Sequence, residues 1–486
     1  MKKMNLLVMS LVSAAALSFT SCSSNDELDD NNAGQNKVDK FYMTLTVQTP
    51  TSNGTRTVVN KPTVNATPAE SDVTSGTFYL VDANNKIVFT HTITKKEWAE
   101  EKIPTQDKNG KTTLQVPVEN VTAGTTYSVY FLANTTSDSP LTDVITSNDK
   151  FATAYSTANN FAMFNENDAD VKGDSHTVVF TSDNKDAKSA AKVSSTINIE
   201  RLTARIDEPK SEATAIKNYD DVENAKPTPE QKTANEDARK AVESVELTRY
   251  AISNVANKTN VMQQWDDATT LLIPAGITYF QPTSEFGTKT LLQNDNYFHA
   301  VTTEKGKEKR NDYVFENNSS DAATSMYFEY TVKLNKEYHD KADFPDGTFY
   351  RYNKVIYSNI QDIINKFKDV KAIFDGKDAA TVVAELKAAK EDTKDPEAKL
   401  DEFRKKYDIE VFNAGKTYYV QKIQDQYLGV ENTIQRNSIY LLNVKNIFNV
   451  GAQVPNGGPD DRTMYYLEVE VSVNPWVLNS YDVNLQ

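Results

Sequence analysis

Residues that could carry out chemistry follow no catalytic spacing in this 486-residue chain, and nothing marks a catalytic pair among its 68 Asp and Glu residues. The four histidines show no metal-ligand spacing such as HxxxH. They are His91, His176, His299 and His339. The sequence contains no GxSxG elbow, P-loop, GxGxxG loop or His-Glu zinc pattern. It therefore predicts a protein that is not an enzyme and that uses no metal or cofactor.

The single cysteine, Cys22, carries the clearest chemical prediction. Two lysines precede an apolar run over residues 6–19, which is too short for a comfortable membrane span and is typical of an export signal. Small residues then stand before Cys22, as in a bacterial lipoprotein cleavage box. Residues 1–21 are therefore the predicted signal peptide and Cys22 the predicted lipidation site. A plain secretory signal with an incidental cysteine is the alternative.

Arg56 is a candidate of another kind, because a trypsin-like protease could use it as a cleavage site. It follows an Asn-Gly turn signal and is the only basic residue between Lys40 and Lys61. A cut after Arg56 would make Thr57 the first residue of the product. An ordinary turn that happens to contain an arginine is the other interpretation.

The segment before Arg56 has the period of a half-buried β-strand. Its apolar positions alternate with Tyr, Thr and Gln, and they are Phe41, Met43, Leu45 and Val47. Residues 22–40 are acidic and polar without apolar periodicity, which predicts a flexible tether. Its acid cluster also resembles a surface-export signal, and a solvated linker explains it equally well.

Composition sets the class of protein and excludes two kinds of partner. The net charge is −15 and the pI is near 5.0. A negatively charged protein is repelled by nucleic acid and by an anionic membrane surface, so both are excluded as partners. Apolar residues make up 38% and aromatic residues 10%, so the chain is predicted to fold, with a bias towards β-structure. The length predicts two domains.

Short β-strand patterns separated by turn signals recur through most of the chain, and this spacing is typical of a β-sandwich. The segment 207–241 is charged and proline-broken, which predicts a linker or insertion containing one solvated helix after Thr228. Apolar residues at helical spacing over 360–373 and 395–407 predict two helices that cover a sheet face.

The carboxy-terminal residues predict a strand and a free tail. Residues 465–473 alternate between apolar and polar side chains, and the triplet Asn474-Pro475-Trp476 is predicted to break that strand. The segment 477–486 then continues as an extended apolar stretch. An exposed strand of this kind is an aggregation hazard unless another chain takes it up, so the tail is predicted to need a partner.

Several stretches together resemble the fimbrilins of Bacteroidales, the stalk subunits of type V pili, and most closely the minor-fimbrium (Mfa-type) branch. The lipoprotein signal and the strand before Arg56 match the family's amino-terminal arrangement. The other matching stretches are TYSVYFLANT at 126–135, IERLTARI at 199–206, YVFENN at 313–318, GKTYY at 415–419, QRNSIYLLNV at 435–444 and VNPWVL at 473–478. Ser438 stands where the family usually has His.

The resemblance implies a mainly β fold with two transthyretin-like β-sandwich domains and helical insertions in the second. It implies an outer-membrane lipoprotein precursor that an Arg-specific protease cuts after Arg56, and a mature subunit in a fimbrium on the cell surface. Loss of the strand before Arg56 would leave an apolar groove, which the tail of another copy would fill by donor-strand exchange. The product would be a homopolymer that also joins fimbrial tip and anchor subunits. The implied donor side chains are Val477, Tyr481, Val483 and Leu485.

The predicted organisation divides the chain into six parts. They are a signal peptide (1–21), a tether (22–40), a removable strand (41–56), an amino-terminal sandwich (57–206), a carboxy-terminal sandwich with helices (207–473) and a donor tail (474–486). Two other interpretations stay open. One is a non-polymerising surface adhesin or glycan-binding lipoprotein, including a pilus tip, and the other is a hydrolase with an unrecognised site.

Overall fold

The fold is mainly β, as the sequence predicted. The computed structural model describes residues 40–49, 64–65, 67–100, 111–134, 143–167, 176–223, 225–266, 270–285, 297–368, 373–425, 428, 432–455 and 467–477. No helix within these ranges has the length and hydropathy needed to cross a lipid bilayer.

The first sheet gathers nine strands from the amino-terminal part of the chain. In spatial order seven of them are Ala191–Lys192, Phe41–Gln48, Ile197–Arg201, Met163–Asn165, Thr126–Ala133, Gly76–Val81 and Ile87–Ile93. Lys111–Val118 pairs with Phe41–Gln48, and Thr177–Val179 pairs with Thr126–Ala133. Gly76–Val81 and Ile87–Ile93 form an antiparallel hairpin that turns at Asn85, whose φ of 61° suits asparagine.

Two further sheets enclose the carboxy-terminal core. One has the order Val64–Asn65, Leu467–Val477, Ser438–Ile447, Ala204–Asp207 and Asn311–Val314, with Lys210–Ser211 also paired to Ser438–Ile447. The other has the order His299–Ala300, Val242–Ser253, Ser325–Leu334 and Lys416–Lys422. Side chains from both sheets share one apolar cluster, which includes Ile206, Tyr440, Ile252 and Phe328.

The strand Ser438–Ile447 joins the two cores because its successive side chains point to opposite faces. Ile439 is buried in the amino-terminal core and Tyr440 in the carboxy-terminal core, each with 0% exposure. Ala204–Asp207 pairs with strands from the carboxy-terminal half. The domain boundary after residue 206 stays a prediction.

The helices lie mainly in an excursion between Ser325–Leu334 and Lys416–Lys422. The predicted helix over 360–373 is shorter, Ile360–Lys366, and Ile373 belongs instead to the separate turn Ile373–Gly376, in which Phe374 and Asp375 have left-handed backbone angles. Ala379–Lys390 was not predicted, whereas the helix after Asp395 is confirmed as Pro396–Tyr407. These helices form a core with the small sheet of Val355–Tyr357, Phe349–Tyr352 and Glu410–Phe412.

The predicted helix after Thr228 is Pro229–Ala241, begun by a capping box between Thr228 and Gln231. It was predicted to be solvated, but Ala238 and Ala241 are fully buried against the carboxy-terminal core. The other α-helices of the described residues are Pro68–Ser71, Lys95–Glu100 and Lys336–His339. The remaining strands form small pairs, Val144–Thr146 with Lys258–Asn260, Val255–Ala256 with Tyr279–Phe280, Gln264–Trp265 with Leu271–Leu272, and Ser156–Thr157 with Asn160–Phe161.

The last strand corrects one prediction. It runs unbroken over Leu467–Val477, so the predicted interruption at Asn474-Pro475-Trp476 is wrong. Pro475 lies opposite Ser438 in the antiparallel ladder. Proline is tolerated in a strand where its missing N–H faces away from the paired neighbour, and along 467–475 the described residues pair this strand on one side.

Candidate functional site: the groove of the first strand

The amino-terminal strand Phe41–Gln48 is built into the interior of the first sheet. Its buried and half-buried residues alternate without exception, which confirms the predicted period of two. Four side chains point into the core with at most 2% exposure, those of Phe41, Met43, Leu45 and Val47. The residues between them are half-buried.

One edge of this strand is paired along its whole length. It runs antiparallel to Lys111–Val118, from Phe41 opposite Val118 to Gln48 opposite Lys111. The hydroxyl groups of Thr46 and Thr113 lie 3.0 Å apart and add a cross-strand hydrogen bond. This edge therefore forms a continuous eight-residue ladder.

The other edge is paired in parallel, at two places. Met43 and Thr44 lie beside Ala191 and Lys192, and Val47 and Gln48 lie beside Ile197 and Asn198. The backbone N–H of Val193 donates to the carbonyl oxygen of Thr44 at 3.0 Å between these two places. A strand held on both edges is an interior strand of its sheet.

The groove is the site that Phe41–Gln48 fills, between Lys111–Val118 on one side and Ala191–Lys192 and Ile197–Arg201 on the other. Aromatic rings close it at the Phe41 end. The rings of Phe41 and Phe180 meet edge to face with centroids 5.6 Å apart, and Tyr127 packs on Phe180 at 6.1 Å. The Lys185 Nζ atom lies 5.7 Å from the centre of the Phe41 ring. Burying four apolar side chains contributes roughly 6–12 kcal/mol as an upper bound.

Most of the predicted site residues lie outside the described part of the chain. They are Cys22, Arg56, Thr57, Tyr481, Val483 and Leu485. Val477 is described and is the last residue of the strand Leu467–Val477. The roles predicted for all seven stay predictions.

The structure brings the base of the predicted tail beside the segment that follows the predicted cut. Val64 and Asn65 pair in parallel with Trp476 and Val477. Val64 comes eight positions after Arg56 in the sequence. A product beginning at Thr57 would therefore have its new amino terminus a few residues from a strand that holds the tail's base.

A buried polar junction, defined here as the networks around Arg201 and Arg436, was not predicted as a site. Both guanidinium groups have 0% exposure. Arg201 donates to the carbonyl oxygen of Glu70 at 2.7 Å and to the Asn437 side chain at 2.8 Å. Burial lowers the pKa of Arg201 to about 9.

Glu70 completes the first network as the acceptor of several donors. Arg205 donates to its carboxylate at 2.9 Å and Tyr313 at 3.0 Å. Burial by itself would raise the Glu70 pKa, but the hydrogen bond from the backbone of Thr67 and the charge of Arg205 outweigh it and hold the pKa below its usual value. The carboxylate is therefore charged at neutral pH.

Arg436 is the centre of the second network. Its guanidinium donates to the Glu316 carboxylate at 2.7 Å and lies 3.8 Å from that of Glu200. It also donates to the carbonyl oxygen of Val261 at 2.8 Å. Apart from Glu70 and Val261, the junction residues come from IERLTARI, YVFENN and QRNSIYLLNV, so the resemblance motifs were the sequence signal that could have located most of them.

The carboxy-terminal part of the chain matches a known family. Residues 410–482 match the family model described as Major fimbrial subunit protein type IV, Fimbrillin, C-terminal. The resemblance to fimbrilins is therefore confirmed over this region, and the placement in the minor-fimbrium branch stays a prediction. No curated protein matches the sequence.

Solved structures of low sequence identity are also similar. A fimbrilin from Porphyromonas gingivalis W83 is 14% identical, with 91% of this chain and 99% of that chain covered and a TM-score of 0.43. A fimbrial assembly protein from Parabacteroides distasonis ATCC 8503 is 14% identical, with 66% and 89% covered and a TM-score of 0.30.

Proposed function

We propose that this protein is a structural subunit of a cell-surface fimbria that supports adhesion. In this proposal the precursor is a lipoprotein of the outer membrane, acylated at Cys22 and cut by an Arg-specific protease after Arg56. The cut subunit then polymerises with other copies of itself by donor-strand exchange, and tip and anchor subunits complete the fimbria. Its role is structural and not enzymatic.

The observation that carries the proposal is the position of the first strand. Phe41–Gln48 forms a complete interior strand of the sheet, yet it precedes the predicted cut after Arg56. Replacing it with a strand from elsewhere would restore both ladders and refill the four buried positions. A groove of this shape suits an extended peptide with apolar side chains at alternate positions.

The tail offers such a peptide. Tyr481, Val483 and Leu485 stand at alternate positions of the sequence. Val477, the fourth predicted donor residue, lies where the subunit's own strand ends, so the tail would leave the subunit at that point. The family match over 410–482 supports this part of the proposal.

The experiment that tests the proposal compares substitutions of two basic residues that are five positions apart in the sequence. Arg56→Ala should leave a folded, monomeric, membrane-tethered precursor and abolish filaments, because it blocks the cut. Lys61→Ala is the matched control and should leave filaments unchanged. Electron microscopy of cell surfaces and size-exclusion chromatography of released protein provide the measurements.

Two other outcomes would contradict parts of the proposal. If the Arg56→Ala protein still forms filaments, the cut after Arg56 is not the activating step. If neither variant nor the unmodified protein forms filaments on cells that carry it, the protein is not a polymerising subunit.

A further inference from the structure

The groove binds the first strand through contacts that a cut after Arg56 does not touch. The eight-residue antiparallel ladder, the two parallel pairings and the four buried side chains all lie within residues 41–48. Arg56 lies eight positions beyond Gln48 and eight before Val64. Cleavage there breaks the covalent tether and leaves every one of these contacts in place.

Emptying the groove would also strip a second strand of its neighbour. Within the described residues, Lys111–Val118 pairs with the first strand and with no other. Its buried residues Leu114, Val116 and Val118 belong to the same apolar cluster as Phe41. A subunit with a vacant groove would therefore expose the apolar side chains that pack against the first strand. It would also leave the backbone hydrogen-bonding groups on both sides of the groove without their partners.

We propose that the cut strand stays in the groove as a bound peptide, and that assembly is a displacement of this peptide by the incoming tail. This inference rests on the proposed function. Proteolysis then removes only the advantage of tethering, which holds a linked segment at an effective concentration on the order of millimolar. The vacant groove is not a populated intermediate.

The tail has to compete for the groove with a strand of higher apolar content. The first strand fills the groove with Phe41, Met43, Leu45 and Val47. The corresponding alternate positions of the tail are Tyr481, Val483 and Leu485, and the next one towards the amino terminus is Asn479. The exchange therefore gains no apolar burial, and it is expected to be slow and to depend on subunit concentration.

The test uses the full chain with Cys22→Ala and with the recognition sequence of a site-specific protease inserted after Arg56. This cut does not depend on whether cells use Arg56, so it tests retention separately from the proposed function. After cleavage at low protein concentration, native mass spectrometry should show the fragment that contains residues 41–56 bound to the remainder. The fragment should come off only in denaturant or on addition of a synthetic peptide of residues 477–486, and a scrambled peptide should leave it bound.

Two variants make the result specific to the groove. Leu45→Ala removes a side chain that is 1% exposed, and the cut fragment should dissociate roughly tenfold faster or more. Thr44→Ala, at a half-buried position of the same strand, is the control and should leave the rate close to that of the unmodified protein. Release of the unmodified fragment on cleavage alone, from a remainder that stays folded and monomeric, would overturn the inference.

Discussion

At the scale of single residues, the arginines of the buried junction decide how the two cores are held together. Removing a buried guanidinium leaves its carboxylate partner without a counter-charge, which costs far more than the loss of a surface ion pair. Arg436 has 0% exposure and Glu316 has 2%. Lys232 and Asp220 form a contrasting pair whose side chains are at least half exposed.

Arg436→Met is therefore expected to lower the free energy of unfolding by about 3–5 kcal/mol. Lys232→Met is the matched control and should change it little. Denaturant unfolding followed by circular dichroism measures both. The double variant Arg436→Met/Glu316→Leu should recover part of the loss, because it removes the stranded carboxylate as well. A loss no greater than that of the control would show that the junction is not stabilising.

His299 gives a prediction about pH. The centre of its ring lies 6.4 Å from that of Phe151 and 6.0 Å from that of Tyr250. Burial and the charges of Arg310 and Lys150 lower its pKa to about 4. In the unfolded chain this histidine has the ordinary pKa of about 6.5. Between pH 6.5 and pH 4, the unfolded chain therefore binds a proton at this residue and the folded protein does not. This residue therefore makes the fold less stable as the pH falls from about 6.5 towards 4.

Replacing His299 with Phe removes that titration and keeps an aromatic ring in place. The fall in denaturation midpoint between pH 7 and pH 5 should be smaller in His299→Phe than in the unmodified protein. Equal falls in the two proteins would mean that His299 titrates normally in the fold. His339, which is exposed, is the control position for the same substitution.

At the scale of elements, the strands that were predicted best are those with one buried face. The alternation in Phe41–Gln48 and the helix after Thr228 were both predicted from local sequence, and both elements are confirmed. The break at Pro475 was wrong because a proline's effect depends on which strand edge is paired, which is a tertiary property. The buried junction could not be derived from local patterns, since Arg201 and Asn437 lie 236 positions apart.

The last strand and the tail beyond it should behave differently when removed. Truncation after Val477 removes only residues past the last strand, so the monomer should keep its thermal transition and lose the ability to polymerise after cleavage. Truncation after residue 466 removes the neighbour of Ser438–Ile447 and should unfold the carboxy-terminal core. Calorimetry and electron microscopy of the two proteins distinguish these outcomes. Filaments from the first truncation would show that the tail is not the donor.

At the scale of the whole molecule, the two cores share one strand and one polar junction. Ser438–Ile447 contributes Ile439 to one core and Tyr440 to the other. In the proposed fimbria a pulling force would enter through the groove in the first sheet and leave through the tail after Val477. The shared strand lies beside Leu467–Val477 and thus on the direct path between those two points.

In the proposed assembly, residues up to Arg56 leave the subunit when it polymerises. Mass spectrometry of denatured, purified fimbriae reads the first residue of the assembled subunit and detects any associated fragment. The assembled subunit should begin at Thr57, and the filaments should be free of the peptide Phe41–Val47. A subunit in the filament that still carries Phe41–Val47 would show that polymerisation does not require the loss of the first strand.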